Sequence, residues 1–343
     1  MLMSGSGHSD SESGDIDMAI VNYRIDAFQH QGSGKGLDKL TFDAAAAHCN
    51  WCEFAIGSVG ASYCTGHLTV TELSWSRCLF ESNLIAPSTR GLSLAITRHL
   101  LQTTTLPVFA THRTNTPDAV HMRIMDSLAG VDQNRLKVLP LDLTSEDSIV
   151  CASRALADAL PKDSNPFIHT AFFSGGILHP ERQPGDLVLE NIQQTFEINV
   201  ISHLLLIKHF SRFLPSPGTQ TTHPHAQSAP TLSKWVHVSA RVGSISDNRL
   251  GGWYSYRSSK AALNQVVRTF DLHLQARKIP ALCVGVHPGT VKTDFSRQFW
   301  SNVRAEDLFE PEFAAQRLVD VVKGLRPEDR GKVWDWEGKE VPP

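Results

Sequence analysis

No run of apolar residues in this sequence approaches the ~20 that a membrane-spanning helix requires, so no membrane partner is expected. Its opening 40 residues have no charged-then-apolar signal pattern, and Asp10, Glu12, Asp15 and Asp17 argue against an organelle transit peptide. A cytoplasmic location is the default expectation. No excess of one charge is present either: 32 basic residues face 35 acidic ones, for a formal net charge of −3. That balance gives nucleic acid no electrostatic reason to bind. Cysteine is sparse, 6 in 343 residues, and without an export signal a disulfide framework is not expected. Cys283, in the run ALCVGV, reads as a small buried hydrophobe.

Regular patterning is missing from residues 1–81, which begin with the Ser/Gly/Asp-rich stretch MLMSGSGHSDSESGD. Such a stretch cannot bury enough apolar surface to order itself. We expect an irregular or disordered extension here, or a gene-model artefact such as a mispredicted start or a retained intron. Peptide mass spectrometry of the native protein separates the two. Within it, Cys49-x-x-Cys52 and Cys64-x-x-His67 offer four zinc-type ligands. Little regular structure lies between the two pairs and short patterns of this kind arise by chance, so no metal site is expected. The Pro-rich loop SPGTQTTHPHAQSAP, with His223 and His225, reads as exposed surface.

Residues 82–343 are different. Short apolar runs alternate with amphipathic segments of helix length, as βαβ units on a parallel sheet require. NLIA, LPVFATHR, RLKVLPLDL, PFIHTAFFSGG, KWVHVSA and ALCVGVHPG read as six strands, and GKVWDW as a seventh. The intervening helices are GLSLAITRHLLQ, SEDSIVCASRALADAL with Ser145 as N-cap, ENIQQTFEINVISHLLLIKHFSRFL, WYSYRSSKAALNQVVRTFDLHLQ and PEFAAQRLVDVVKGL. The expected fold class is α/β: a doubly wound parallel sheet, a Rossmann-type three-layer αβα single domain.

The chemistry centres on Tyr256-Arg-Ser-Ser-Lys260. Residues four apart share one helix face, and an ammonium beside a phenol favours the phenolate and lowers its pKa. Such a tyrosine suits proton transfer to a carbonyl or from an alcohol. Alone the spacing is weak. Here it opens a helix after a strand ending in VHVSA, with Asn199 upstream and Pro288-Gly289, Val291 and Thr293 downstream. This ordered set resembles the short-chain dehydrogenase/reductase family, and SARVGSISDNRLGGWYSYRSSKAALNQ resembles its C-factor and sniffer-type carbonyl reductase branch.

The resemblance implies roles for these positions. Tyr256 is the general acid, Lys260 lowers its pKa and holds the nicotinamide ribose, and Asn199 holds a water linking Lys260 to solvent. Pro288, Gly289, Val291 and Thr293 lie along the nicotinamide, and Asp142, followed by Leu143, bonds the adenine. The cradle Ala86-Pro87-Ser88-Thr89-Arg90-Gly91-Leu92-Ser93 keeps only the middle glycine of the family turn, Gly91. Ser88, Arg90, Gly91 and Leu92 are its candidate cofactor contacts. In Phe173-Ser174-Gly175-Gly176 the asparagines are gone, while Gly175 and Gly176 keep room for the backbone. Arg90 and Arg113 would suit a 2′-phosphate, so NADP (NADPH) is expected over NAD.

One catalytic position departs from the family. Ala240 stands where a serine is usual, leaving Ser239 and Ser244 as candidate donors to the substrate oxygen. The expected substrate is a small carbonyl or alcohol, bounded by Trp253, Tyr254, Phe295, Phe299 and Trp300 and favouring aromatic or aliphatic carbonyls. The family implies a homodimer or homotetramer. Because of Ala240 and Pro87, a catalytically weak or inactive binding or signalling protein on the same fold stands as the alternative.

Overall fold

The computed structural model describes residues 79–113, 115–219 and 232–343. The four N-terminal zinc-type ligands, His223, His225 and nearly all of the expected N-terminal extension lie outside them. Among the described residues, no group of three or more His, Cys, Asp or Glu is placed to hold a metal ion. No helix is long and apolar enough to cross a membrane.

Each expected apolar run forms a strand: β1 (Leu79–Ala86), β2 (Val108–His112), β3 (Leu136–Pro140), β4 (Asn165–Phe173), β5 (Ser233–Val238) and β6 (Ala281–His287). Two short strands, β7 (Thr290–Val291) and β8 (Leu308–Phe309), pair apart from the main sheet. The chain ends with β9 (Val333–Asp335) and β10 (Glu340–Val341). The main sheet runs β10-β9-β6-β5-β4-β1-β2-β3, parallel throughout except for β10. The strand order reverses between β1 and β4, and this reversal opens a crevice at their carboxyl ends.

Helices cover both faces. On one face α1 (Gly91–Thr103), α2 (Pro117–Met125) and α7 (Pro311–Gly324) pack Ile96, Val120, Leu318 and their neighbours on Ile85, Val236 and Val284. The other face takes α3 (Glu146–Ala159), α5 (Ser202–Phe210) and α6 (Tyr254–Ala276), which pack Ile149, Phe210 and Val267 on Leu84, Phe173 and Trp235. Burial on both faces explains why the strands read as continuous apolar runs rather than alternating ones. Ser145 caps α3, its hydroxyl accepting the Ser148 N–H at 3.2 Å.

Two features correct the sequence reading. The segment TPDAVHMRIM, not expected to be regular, forms α2, with Thr116 as N-cap and Pro117 in its first turn. The long helix expected over ENIQQTFEINVISHLLLIKHFSRFL is also not continuous. It runs as α4 (Leu189–Phe196), passes through a π-turn at Glu197–Ile201 and resumes as α5. Asn199 sits in that turn, and π-turns within helices concentrate at functional sites.

Buried Lys234 on β5 ties the sheet to α7, donating to the carbonyls of Val322 (2.9 Å), Lys323 (3.2 Å) and Leu325 (2.8 Å). These are the end-of-helix acceptors that would otherwise lack partners. Burial pulls the amine down to about 8, so it still carries charge at neutral pH. Lys234→Met is expected to lower stability by about 2 kcal/mol, the cost of orphaning these acceptors, measured as a shift in the urea midpoint. An unchanged midpoint would show that the cap contributes nothing.

Candidate active site

At the carboxyl ends of β1, β4, β5 and β6 several of the sequence-predicted residues come together. Tyr256 and Lys260, on the first turns of α6, are both buried. The Lys260 ammonium lies 5.7 Å from the Tyr256 ring centroid and donates to the Val238 carbonyl at 2.8 Å. Burial pushes the Tyr256 phenol above its ordinary value and pulls the Lys260 amine down to about 7. In the protein alone, desolvation therefore outweighs the pull of the ammonium on the phenol, contrary to what the four-residue spacing suggested.

Asn199 is locked in place. Its Oδ1 accepts the Ile177 N–H at 2.8 Å, and its Nδ2 donates to the Ile177 carbonyl and the Ser259 hydroxyl, both at 3.0 Å. A Cβ at Gly176 would lie 3.5 Å from the Lys260 Nζ and 3.6 Å from the Asn199 Oδ1. Thus Asn199, Lys260 and the Gly175–Gly176 turn meet at one point.

Beneath that turn two histidines, unremarked in the sequence, form a buried chain. His203 and His237 share an Nδ1···Nδ1 bond of 2.8 Å, and the His203 Nε2 reaches the Gly175 carbonyl at 3.0 Å. A carbonyl only accepts, so His203 donates from Nε2 and its Nδ1 accepts from His237. Burial holds His203 down at about 3 and His237 well below its ordinary value, with Lys260 adding to both. No helical or strand period could have paired residues 34 apart.

Close glycine contacts join the loops at the carboxyl ends of β1, β4 and β6. Gly91 has φ +52, and a Cβ there would lie 3.0 Å from the Thr293 Cγ2. The first turn and the loop after β6 therefore meet at a glycine. Gly289 likewise has φ +74, and a Cβ would come within 2.5 Å of Phe309, which fixes the Pro288–Val291 loop. At Gly175 a Cβ would collide with the Leu143 side chain at 2.4 Å. Where the family glycine and asparagine are absent, Ser93 and Ser174 bond each other at 2.8 Å, and Ser174 donates to the Pro87 carbonyl at 3.3 Å. This staple ties α1 to the end of β4.

The first turn of α1 has no acidic residue and no side-chain cap, so its leading N–H groups, including that of Leu92, remain available to an anion. Arg90 and Arg113 are exposed and, among the described residues, have no ion-pair partner. At the end of β2 the buried Thr111 hydroxyl and both ring nitrogens of His112 lack partners. Glycines without room for a Cβ, free helix N–H groups, unpaired guanidiniums and orphaned polar atoms along one cleft fit a dinucleotide. The Asp142 Oδ1 accepts from the Thr144 N–H and hydroxyl at 3.0 and 2.8 Å.

Three expected site residues are placed otherwise. Ser88 is fully buried, its hydroxyl donating to the Ile85 carbonyl at 2.6 Å and accepting the Thr111 N–H at 3.1 Å. It closes the turn instead of lining the cleft. The Ser239 hydroxyl donates to the Asn264 Oδ1 at 2.6 Å, because adjacent strand residues face opposite ways. Ser244 donates to the Pro343 carbonyl at 3.2 Å and accepts the Asp247 N–H at 3.1 Å. Neither serine hydroxyl is free beside Tyr256.

The side chains around Tyr256 are aromatic. Trp253 stands edge-on to Tyr256 at 6.2 Å and packs on Phe299 at 4.9 Å, while Phe295 lies 6.1 Å from Tyr256. Of the other two expected wall residues, Tyr254 is exposed, and the Trp300 indole donates to Ser296 at 2.9 Å.

Comparison with known proteins agrees with this geometry. Residues 83–304 match the short chain dehydrogenase family. C-signal of Myxococcus xanthus is 34% identical over 158 residues, 46% of this chain and 82% of that protein. The 1-hydroxy-2-glutathionyl-2-methyl-3-butene dehydrogenase of Rhodococcus sp. (strain AD45) is 30% identical over 198 residues, 58% of this chain and 76% of that one. Among solved structures, the carbonyl reductase Sniffer of D. melanogaster superposes with a TM-score of 0.63 at 21% identity, covering 77% of this chain and 99% of that one. The NADPH-bound carbonyl reductase from chicken fatty liver gives 0.63 at 24% identity, covering 78% and 97%. These two share the fold.

Proposed function

The chain belongs to the short chain dehydrogenase family, and on that premise we propose that it is an NADPH-dependent carbonyl reductase acting on small aromatic or aliphatic carbonyls. The observation that carries this reading is the buried Tyr256–Lys260 pair lying under Trp253, Phe295 and Phe299. When bound, NADPH supplies the hydride. Tyr256 gives its phenolic proton to the carbonyl oxygen. Lys260, poised near neutrality by burial, replenishes Tyr256, and Asn199 in its π-turn holds a water that connects Lys260 to solvent. The apolar wall orients the substrate and excludes water from the developing alkoxide.

Gly91, Leu92, Arg90 and Arg113 hold the phosphates in this reading, with Asp142 and Leu143 at the adenine and Gly175, Pro288, Gly289, Val291 and Thr293 along the rest of the dinucleotide. The two free guanidiniums favour the 2′-phosphate of NADP over the bare ribose of NAD. A homodimer or homotetramer built on α4, α5 and α6 accords with exposed Ile201, Leu204 and Leu272.

Titration with NADPH and NADH, followed by cofactor fluorescence, tests the cradle. NADPH is expected to bind at least about tenfold more tightly, and Arg113→Glu to erase most of that preference, as the loss of one charge-assisted phosphate contact does. Binding of neither nucleotide would sink the reading and favour a binding or signalling protein on this fold. Ala240 and the engaged hydroxyls of Ser239 and Ser244 are the observations on that side.

A further inference from the structure

A carbonyl held for reduction needs a second hydrogen-bond donor besides the tyrosine, because the charge that grows on oxygen must be met from more than one direction. Ala240 has no hydroxyl, and Ser239 and Ser244 spend theirs on Asn264 and Pro343. One polar hydrogen remains on the aromatic wall, the indole N–H of Trp253. That ring stands at 75° to the Tyr256 ring with centroids 6.2 Å apart. Trp253 is only partly buried, and among the described residues its Nε1 has no hydrogen-bond partner. By contrast, the Trp300 and Trp334 indoles both donate to protein acceptors at 2.9 Å.

The backbone at Trp253 points the same way. Gly251, Gly252 and Trp253 are three successive left-handed residues, with φ of +64, +66 and +50. Glycine takes that conformation freely, whereas a tryptophan in it is strained by about 1 kcal/mol or more. The conformation is enforced by Glu181, a buried residue of the loop after β4. Its carbonyl accepts the Trp253 N–H at 2.6 Å, and its carboxylate accepts the Ser255 hydroxyl. The strained residue and Ser255 two positions on are thereby held to one clamp, immediately before Tyr256.

We propose that the Trp253 indole N–H donates to the substrate's carbonyl oxygen beside Tyr256, in place of the serine hydroxyl that Ala240 lacks. This rests on the carbonyl reductase reading. It also selects substrates: an indole edge is bulkier than a serine, so flat carbonyls that slide between Trp253 and Phe295 are favoured.

The test uses the full chain, benzil as the carbonyl probe and NADPH. Trp253→Phe keeps an aromatic ring against Phe299 and removes the N–H together with part of the ring's breadth, which is why the Ala240→Ser rescue is needed beside it. Its kcat is expected to fall on the order of 100-fold, as for loss of one oxyanion donor, with KM little changed. Adding Ala240→Ser to that variant is expected to recover about tenfold or more, since it restores the second donor. If Trp253→Phe keeps wild-type kcat, or if it loses activity only through KM, the N–H has no such role and Trp253 is a wall. Should the wild-type chain not reduce benzil at all, the carbonyl reductase reading loses this substrate, and the donor is judged by NMR instead. The Trp253 indole resonance, identified by its absence in Trp253→Phe, should move downfield when benzil is added with NADP; an unmoved resonance overturns the proposal.

Discussion

Tyr256→Phe is expected to lower carbonyl reduction by about 1,000-fold while leaving NADPH binding intact, within the range spanned by loss of a positioned general acid. The substitution removes one oxygen and keeps the ring that packs against Trp253 and Phe295, so the pocket and the fold survive. Lys260→Met should be comparably damaging. It also strips the Val238 carbonyl of its donor, so it tests less cleanly. The pH profile supplies an independent check. Lys260 is charged below about 7 and neutral above it. A proton supply that depends on the ammonium therefore weakens as pH rises, and kcat/KM for reduction should fall through about pH 7 and above. Alcohol oxidation, which needs the relay deprotonated, should rise over the same range. A Tyr256→Phe protein that keeps about a tenth or more of wild-type turnover would remove Tyr256 from the role of general acid.

The order of strands and helices was legible because doubly buried strands read as short continuous apolar runs and the helices between them carry an apolar stripe of helical period. Tyr256, Lys260, Asn199 and the Pro288–Thr293 loop were legible because they fall in family order along the chain. What escaped reading was set by direction or by long-range pairing. Ser239 and Ala240 are neighbours in sequence, yet the strand turns Ser239 toward Asn264. Ser88 has a cofactor-loop position but a hydroxyl aimed into the turn. The serine staple from Ser93 to Ser174 spans 81 residues, and nothing local marks it. The helix α2 was missed although Thr116, Pro117 and Asp118 are good start signals, because its short apolar stripe, Val120 and Ile124, is too brief to show a period. The π-turn was invisible because it inserts within a sequence whose helical propensity is continuous on both sides.

The buried histidine pair leads to the second large effect, a loss of stability in mild acid. In the folded protein His203 and His237 are neutral, held below their ordinary value of 6.5 by burial, and at about 3 for His203. Unfolded, both titrate near 6.5. Above that pH neither state binds these protons, and the pair's contribution is fully present. As pH falls below 6.5 the unfolded chain takes up two protons that the folded chain refuses, so stability must drop. Each proton so refused is worth about 1.4 kcal/mol per pH unit, a sizeable slope beside the roughly 5–15 kcal/mol total stability of a typical domain. Urea unfolding followed by tryptophan fluorescence at several pH values should show the midpoint falling steeply below pH 6, with no comparable change between pH 7 and 8 from these groups. His237→Asn removes one of the titrating rings, and the slope below pH 6 is expected to become shallower, with buried His287, held at about 4, still contributing, whatever the variant does to stability at neutral pH. An unchanged slope in that variant would mean that the acid sensitivity arises elsewhere. The same protonation breaks the bond from His203 to the Gly175 carbonyl only if the pair is forced apart, so the cleft should hold its shape until the fold itself gives way. Activity and the unfolding signal are accordingly expected to be lost together on acidification.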